Sequence, residues 1–299
     1  MARRASRMLL KSVKESGRKV GIAITEDDKR RVAMLARWYS LSPQHIARSE
    51  LDERIWNPDL NPHPSDEDQE AYAKQSLAVR RRLSKLSSVE EQGTHIGPLV
   101  GGGRFDYNAS TWFATQYGAS MTELPWRLRP TINPQQVRHA WFAADVGMQI
   151  ERLGYHVLSE RELSTGVRVD RSDIELDLNS PYVNPRTGVV TNKKPDVAVL
   201  NTDRDRFIAI EVENDKNRSQ TTYIEKLKAY DANPNVAAVW YLCSSQATAN
   251  RVGTAATKTF GKGASFPLRI RIIEGRDEWM GIEDLPNDER LMNDLGGMG

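Results

Sequence analysis

Three prolines within ten residues, Pro125, Pro130 and Pro134, divide the chain into two stretches with different hydrophobic rhythms. Proline locks φ and removes an amide donor, so neither a helix interior nor a central strand runs through such a segment. Residues 123–134 are therefore expected to form an interdomain linker. Before them, apolar residues recur at helical spacing. After them, short runs of Val, Ile, Leu and Ala alternate with helical stretches. A length of 299 residues accommodates two ordinary domains, and 39 % hydrophobic residues supply a core for each.

In the first stretch, Thr25 ahead of Glu26, Asp27 and Asp28 reads as a helix N-cap with acids in the first turn. Val32, Leu35, Ala36, Trp38 and Tyr39 supply its apolar face. Ser42-Pro43 starts a second helix, with Ile46, Ala47 and Leu51 on its buried side. Residues 54–68, holding Pro58, Pro62 and Pro64, read as a loop. A third helix is expected from Glu70 to Leu86, with Leu77, Leu83 and Leu86 forming an apolar stripe beside Ala73 and Val79. Arg80, Arg81, Arg82 and Lys85 lie between these positions. The glycine-punctuated run that follows, through Gly101-Gly-Gly and Arg104, reads as a two-stranded hairpin with the glycines at its tip, then a helix over 110–117.

Helix, helix, basic helix, hairpin is the order of a winged helix-turn-helix, here spanning 21–122. In helix-turn-helix proteins the last of these helices enters the major groove. Arg80, Arg81, Arg82, Lys85 and Arg104 are therefore the candidate DNA-binding residues, because arginine and lysine contact phosphates and guanine edges. The bland alternative is a solvated face of an ordinary helix. The expected partner is double-stranded DNA, and a homodimer would match a two-fold site.

The net charge of +2 carries no argument for nucleic acid, but its distribution does. Residues 1–20 carry Arg3, Arg4, Arg7, Lys11, Lys14, Arg18 and Lys19 against Glu15 alone. This segment reads either as a phosphate-neutralising arm or as a solubilising tail. The single cysteine, Cys243, excludes an intramolecular disulfide and a multi-cysteine zinc site, which suits a reducing cytoplasm. No apolar run approaches the ~20 residues that cross a bilayer, and the start of the chain has no secretory pattern. No membrane association is expected.

In the second stretch, a helix is expected over 135–152, ended by Gly154. Strands follow at 155–159, 174–178, 197–200 and 207–213, then helix 219–231, strand 236–242, helix 246–259 and strand 267–273. This alternation indicates an α/β domain with a mixed sheet over 135–284, and a flexible tail over 285–299. Asp196 opens one apolar strand and Glu211 and Glu213 close the next. Residues two apart on a strand share a face, so the glutamates point together, and Asp196 lies across from them if the strands are hairpin neighbours. Three converging carboxylates make an oxygen-rich site of the kind that suits Mg²⁺. Acids at strand ends are also often solvated or paired, and Arg204, Arg206, Lys216 and Arg218 are near in sequence. His139 reads as a packing or capping residue. Cys243 has no histidine partner evident in the sequence.

These motifs resemble the PD-(D/E)xK nuclease superfamily. Pro195-Asp196 matches its first acid and Glu211 its second. Glu213 stands where the family carries lysine, and Lys226 on the next helix is placed to replace it. The resemblance implies a restriction-endonuclease-like fold, with catalytic residues Asp196, Glu211, Glu213 and Lys226. It also implies Mg²⁺ held by Asp196, Glu211, Glu213 and Glu151, with Glu160 and Glu162 as competitors for the last place. The wider order is similar to the replication-relaxation family of actinobacterial plasmids, phages and integrative elements. It runs from winged helix and linker through His139, Ser159-Glu160-Arg161-Glu162-Leu163, Pro195-Asp196 and Glu211-Val212-Glu213 to Glu225-Lys226-Leu227 and Tyr230. That resemblance implies a role in DNA replication, mobilisation or regulation, with a nuclease-like domain that binds without cutting, or alternatively a Mg²⁺-dependent endonuclease.

Overall fold

Hydroxyl side chains start the helices of the first half. Thr25 caps α1 (Glu26–Arg37) and Ser42 caps α2 (Pro43–Glu50). After the short α3 (Glu53–Trp56), Ser65 caps α4 (Asp66–Leu86). Each cap pairs reciprocally with the residue three positions on, Asp28, His45 or Asp68. The computed structural model describes residues 24–56, 61–87, 99–104, 110–122, 134–165, 178–201, 205–213, 218–262, 266–272, 275–276 and 279–280. The basic segment 1–20, the prolines at 125 and 130, residues 174–177 and the tail 285–299 lie outside them. The chain divides into two compact units, Met1–Trp141 and Phe142–Gly299.

In the first unit, α4 begins four residues earlier than expected, because Ser65 together with Asp66, Glu67 and Asp68 makes a good helix start. Its buried face is Val79, Leu83 and Leu86, which pack toward α2 and the hairpin. Leu77 and Ala73 do not join this face, and Leu77 is 44 % exposed. Two residues of helix turn it roughly 160° away from Val79. Tyr39 adopts φ 63°, a left-handed conformation that ends α1 and turns the chain into Leu41.

The hairpin also differs from expectation. Strands β1 (Val100–Arg104) and β2 (Ser110–Ala114) pair antiparallel, so Gly101, Gly102 and Gly103 lie within a strand. The segment joining the two strands, 105–109, lies outside the described residues. Gly101 and Gly102 are needed because β2 approaches closely. A Cβ on Gly102, whose φ is +138°, would sit 2.2 Å from the Thr111 carbonyl oxygen. One on Gly101 would strike the Phe113 ring. The stretch expected to be helical from 110 is β2, since Thr111, Trp112 and Phe113 are strand formers. The helix α5 (Gln116–Ser120) begins only after the Thr115 cap. Leu41 exchanges both backbone hydrogen bonds with Trp112 (3.0 and 2.9 Å), which flanks β2 on its other side.

Ion pairs tie the three long helices together. The Asp28 carboxylate is fully buried and accepts from the Thr25 amide at 2.8 Å and from Arg82 Nε at 2.8 Å, with Arg82 Nη2 also in contact. Burial alone would raise this carboxyl, but Arg82 and Thr25 hold it below the ordinary value. Arg31 joins Glu50 at 2.6 Å, and Gln75 donates to the same carboxylate at 2.7 Å.

The second unit is built on a five-stranded mixed sheet, in an α+β arrangement. The helix α6 (Pro134–Arg152), which belongs to this unit from Phe142 on, leads through Gly154, at φ +88°, into β3 (His156–Ser159) and α7 (Glu160–Thr165). A hairpin of β4 (Ser180–Val183) and β5 (Val190–Lys193) follows. The sheet continues with β6 (Val197–Leu200) and β7 (Phe207–Glu213). Then come α8 (Gln220–Asp231), β8 (Val236–Cys243), α9 (Gln246–Phe260) and β9 (Leu268–Ile272). The short pair β10 (Gly275–Arg276) and β11 (Trp279–Met280) stands apart. Strand order is β3-β6-β7-β8-β9, antiparallel across the first two pairings and parallel across the last two. The runs Val197–Leu200, Phe207–Glu213 and Val236–Cys243 are buried throughout, as strands covered on both faces must be. The β4–β5 hairpin is absent from the sequence reading because Pro181, Pro185 and Asn184 signal a loop.

Arg82→Ala should lower stability by about 2 kcal/mol, less than the 3–5 kcal/mol of a fully buried pair, because Arg82 keeps about a quarter of its side-chain exposure. Arg81→Ala should change it by less than ~0.5 kcal/mol. Equal losses in urea unfolding would show that the Asp28–Arg82 pair is not held in solution.

Candidate functional site

Strand register brings the carboxylates to one end of the sheet. Val197 pairs with Ile210, so continuing one position sets Asp196 opposite Glu211. Glu211 and Glu213 pair in turn with Tyr241 and Cys243 of β8. Alternation puts all these residues on the face whose core includes Ala209, Tyr223, Leu227, Tyr230 and Val252, the face covered by α8 and α9. The acids are almost fully enclosed: Asp196 is 8 % exposed and Glu211 and Glu213 are 1 % exposed. Charges so enclosed require partners.

Each acid has one. The Asp196 carboxylate accepts from the Val212 amide at 2.7 Å, extending the ladder by one rung. Glu211 accepts from the Lys226 ammonium on one oxygen and from the Tyr230 hydroxyl on the other. Lys226 and Tyr230 are four residues apart, so they share one face of α8 and reach the same group. Glu213 faces the Arg218 guanidinium at 2.9 Å. Burial pushes the Glu211 carboxyl up to about 7; Lys226 opposes the shift and Asp196 adds to it. Burial would lower Lys226, but Glu211 and Asp196 hold its ammonium above the ordinary value. Burial, then Glu211, raises Tyr230 far above its usual range. The Cys243 thiol is pushed up to about 12 by burial and by Glu213, which keeps it protonated near neutrality.

The sequence candidates Asp196, Glu211, Glu213 and Lys226 thus meet, joined by Arg218, one of the nearby cations that the sequence offers as a charge partner for these acids, and by Tyr230, to which the sequence reading gave no role. The signal for Tyr230 was its four-residue spacing from Lys226. Glu162 is occupied locally, accepting from the Ser159 amide at 2.7 Å at the start of α7. Glu151 stands apart. The Gly154 turn sets its backbone beside the Leu200 end of the β3–β6 pair, about four strand residues (~13 Å) from the Asp196 end. Among the described residues, no group of three or more His, Cys, Asp or Glu is arranged to hold a metal. Asp196 and Glu211 are hard oxygen donors of the kind Mg²⁺ takes, and a cation entering there would have to take Glu211 from Lys226.

The first unit carries a second charged feature. Opposite the buried Val79, Leu83 and Leu86, the exposed side of α4 presents Lys74, Arg81 and Lys85 at intervals of seven and four, with Arg80 at its flank. The small residues Ala73, Ala78 and Ser84 separate them. From Ala71 to Val89 the chain has no Asp or Glu and five cations. Of the sequence candidates, Arg80, Arg81 and Lys85 face outward, whereas Arg82 is committed to Asp28 and acts within the fold. Arg104 ends β1 opposite Ser110, and its side chain lies outside the described residues. Lys74, missed earlier, was legible as the i−7 neighbour of Arg81 on a helix.

No family model, curated protein or solved structure matches this chain. Among the described residues, no helix is long and apolar enough to cross a membrane.

Lys226→Met should leave two adjacent buried carboxylates without their nearest cation, costing about 3–5 kcal/mol at pH 8. The Glu211 carboxyl in the folded protein already titrates above its ordinary 4.5, and the substitution should raise it further. The folded state then binds the extra proton, so stability should fall as pH rises above about 4.5 and on through the raised folded-state value. Thermal unfolding of the variant at pH 5.5 and pH 8.5 measures this. A penalty independent of pH would show that Lys226 does not compensate Glu211.

Proposed function

We propose that the chain is a double-stranded-DNA-binding protein whose first unit is a winged helix that lays α4 along the duplex. The observation that carries this is the outward Lys74–Arg81–Lys85 stripe on a helix whose opposite side is its core contact. Cations separated by small residues let a helix approach phosphates and base edges closely. The β1–β2 hairpin, flanked by Leu41, supports the winged-helix reading. The resemblance to mobile-element replication proteins is in line with this role.

In this reading the second unit has the shape of a PD-(D/E)xK-like domain that binds or stabilises rather than cuts. The support is that Lys226 and Tyr230 occupy both oxygens of Glu211, Arg218 faces Glu213, and Glu213 stands where the superfamily carries lysine. A second reading, Mg²⁺-dependent cleavage, is favoured by the juxtaposition of Asp196, Glu211 and Lys226 on one face. Asp196 and Glu211 would hold the ion, which would supply charge to polarise a phosphoryl oxygen. Lys226 would then be released toward the phosphate.

Binding to a 25-base-pair duplex should weaken steeply with salt, and Lys74→Ala, Arg81→Ala and Lys85→Ala together should reduce it by ~100-fold or more, lowering the log–log salt slope by about three. A triple variant that binds like wild type would rule out α4 as the contact. Plasmid incubated with the protein and Mg²⁺ or Mn²⁺ should stay supercoiled. Nicking that disappears in Asp196→Ala would replace the binding-only reading by an endonuclease.

A further inference from the structure

The longest acid-free run of the chain lies in the second unit. From Ala232 to Ile273, 42 residues contain no Asp or Glu, although acids make up 40 of the 299 residues and about six would be expected in such a span. The run holds five cations, Arg251, Lys258, Lys262, Arg269 and Arg271. The fold separates them. Arg269 packs over the Trp240 ring on the sheet, with its guanidinium 5.9 Å from the centroid. Arg251, Lys258 and Lys262 belong to α9 and the turn that ends it.

The helix α9 buries Thr248, Ala249, Val252 and Ala255 against the sheet and α8. Its opposite side presents Asn250, Thr254, Thr257 and Lys258, with Lys262 exposed just beyond and Arg251 half-exposed at the edge. Lys258 donates to the neutral Gln220 amide at 2.7 Å, which orients the ammonium without neutralising it. The helix rise sets Arg251 and Lys258 about 10 Å apart, roughly three base-pair steps of duplex.

We propose that this face of α9 is a second contact for the nucleic-acid backbone, carried by the second unit. The proposal rests on the DNA-binding reading of the first unit and adds a surface to it. The chemistry selects a polyanion over a protein partner. Protein interfaces centre on aromatic or large apolar side chains. None of the exposed large hydrophobic residues, Leu77, Leu153, Val183, Val189 and Val190, lies on α9. What α9 offers is ammonium and guanidinium groups among hydroxyls and amides, the mixture that contacts phosphate oxygens. Within their own stretch of chain, Lys258 and Lys262 have no acid beside them.

The test compares the whole protein with Lys258→Gln/Lys262→Gln and Lys258→Glu/Lys262→Glu variants in fluorescence anisotropy against the same duplex over a salt series, with the α4 triple variant alongside. The neutral pair should weaken binding several-fold and lower the log–log salt slope by about two; the reversed pair should weaken it by ~10-fold or more. Circular dichroism should match wild type for both, because the side chains are exposed. Wild-type affinity and slope in both pairs, with loss only in the α4 variant, would overturn the α9 contact while leaving the DNA-binding reading intact. An altered oligomeric state with unchanged DNA affinity would also overturn it, in favour of a protein interface. A wild-type chain that does not bind DNA would overturn the underlying reading, and the α9 contact with it.

Discussion

The second unit depends on how three carboxylates survive almost complete burial at the end of a sheet. An ionised acid removed from water is costly unless charge and hydrogen bonds replace its hydration. Here the replacement comes mainly from one stretch of chain, α8 and Arg218 just ahead of its Ser219 cap. Arg218 meets Glu213, while Lys226 and Tyr230 meet Glu211. This binds α8 to β7 by charge as well as by packing. Arg218 reaches back to Glu213 just before Ser219 starts the helix. The β4–β5 hairpin is drawn in by the same logic, with Lys193 reaching Glu225 of α8 at 2.9 Å.

A parallel division of labour appears on α4. Adjacent arginines on a helix point about 100° apart, so a run of three cannot share one duty. Arg82 turns inward toward Asp28, where it neutralises the acid that also closes the capping box of α1. Arg81 turns outward to line up with Lys74 and Lys85. The cluster that reads in sequence as one basic patch is thus a structural residue beside residues available to a partner. An experiment that removed all three arginines together would confuse loss of folding with loss of binding.

Legibility of the sequence followed physical locality. Hydroxyl caps declared the starts of α1 and α2, and continuous apolar runs declared β6, β7 and β8, because each signal is contained within a few residues. The paired positions of Glu211 and Glu213 followed from strand periodicity, and Lys226 was expected from the resemblance to the nuclease superfamily. What escaped was non-local. Gly101–Gly103 read as a turn because the need for space at Gly101 and Gly102 arises from Phe113 and Thr111 on the partner strand. Leu77 read as core because its exposure depends on which side of α4 faces α2. The β4–β5 hairpin was hidden by its prolines. Arg82 read as a DNA contact because its acid lies 54 residues away in sequence.

The same distinction explains why a net charge of +2 says little about this chain. Asp28, Glu50, Glu211, Glu213 and Glu225 are all bound to cations of their own fold. Their charges are therefore largely cancelled at close range. Exposed charges act on a partner over about 8–10 Å at physiological salt, so a surface is judged by what lies within that radius and not by the total. The stretches Ala71–Val89 and Ala232–Ile273 contain no acid in sequence, and of their cations Arg82 is paired with an acid from outside, Asp28. In a nearly neutral protein, the exposed cations of such stretches, Lys74, Arg80, Arg81 and Lys85 on α4 and Lys258 on α9, therefore say more about a surface than the total charge does.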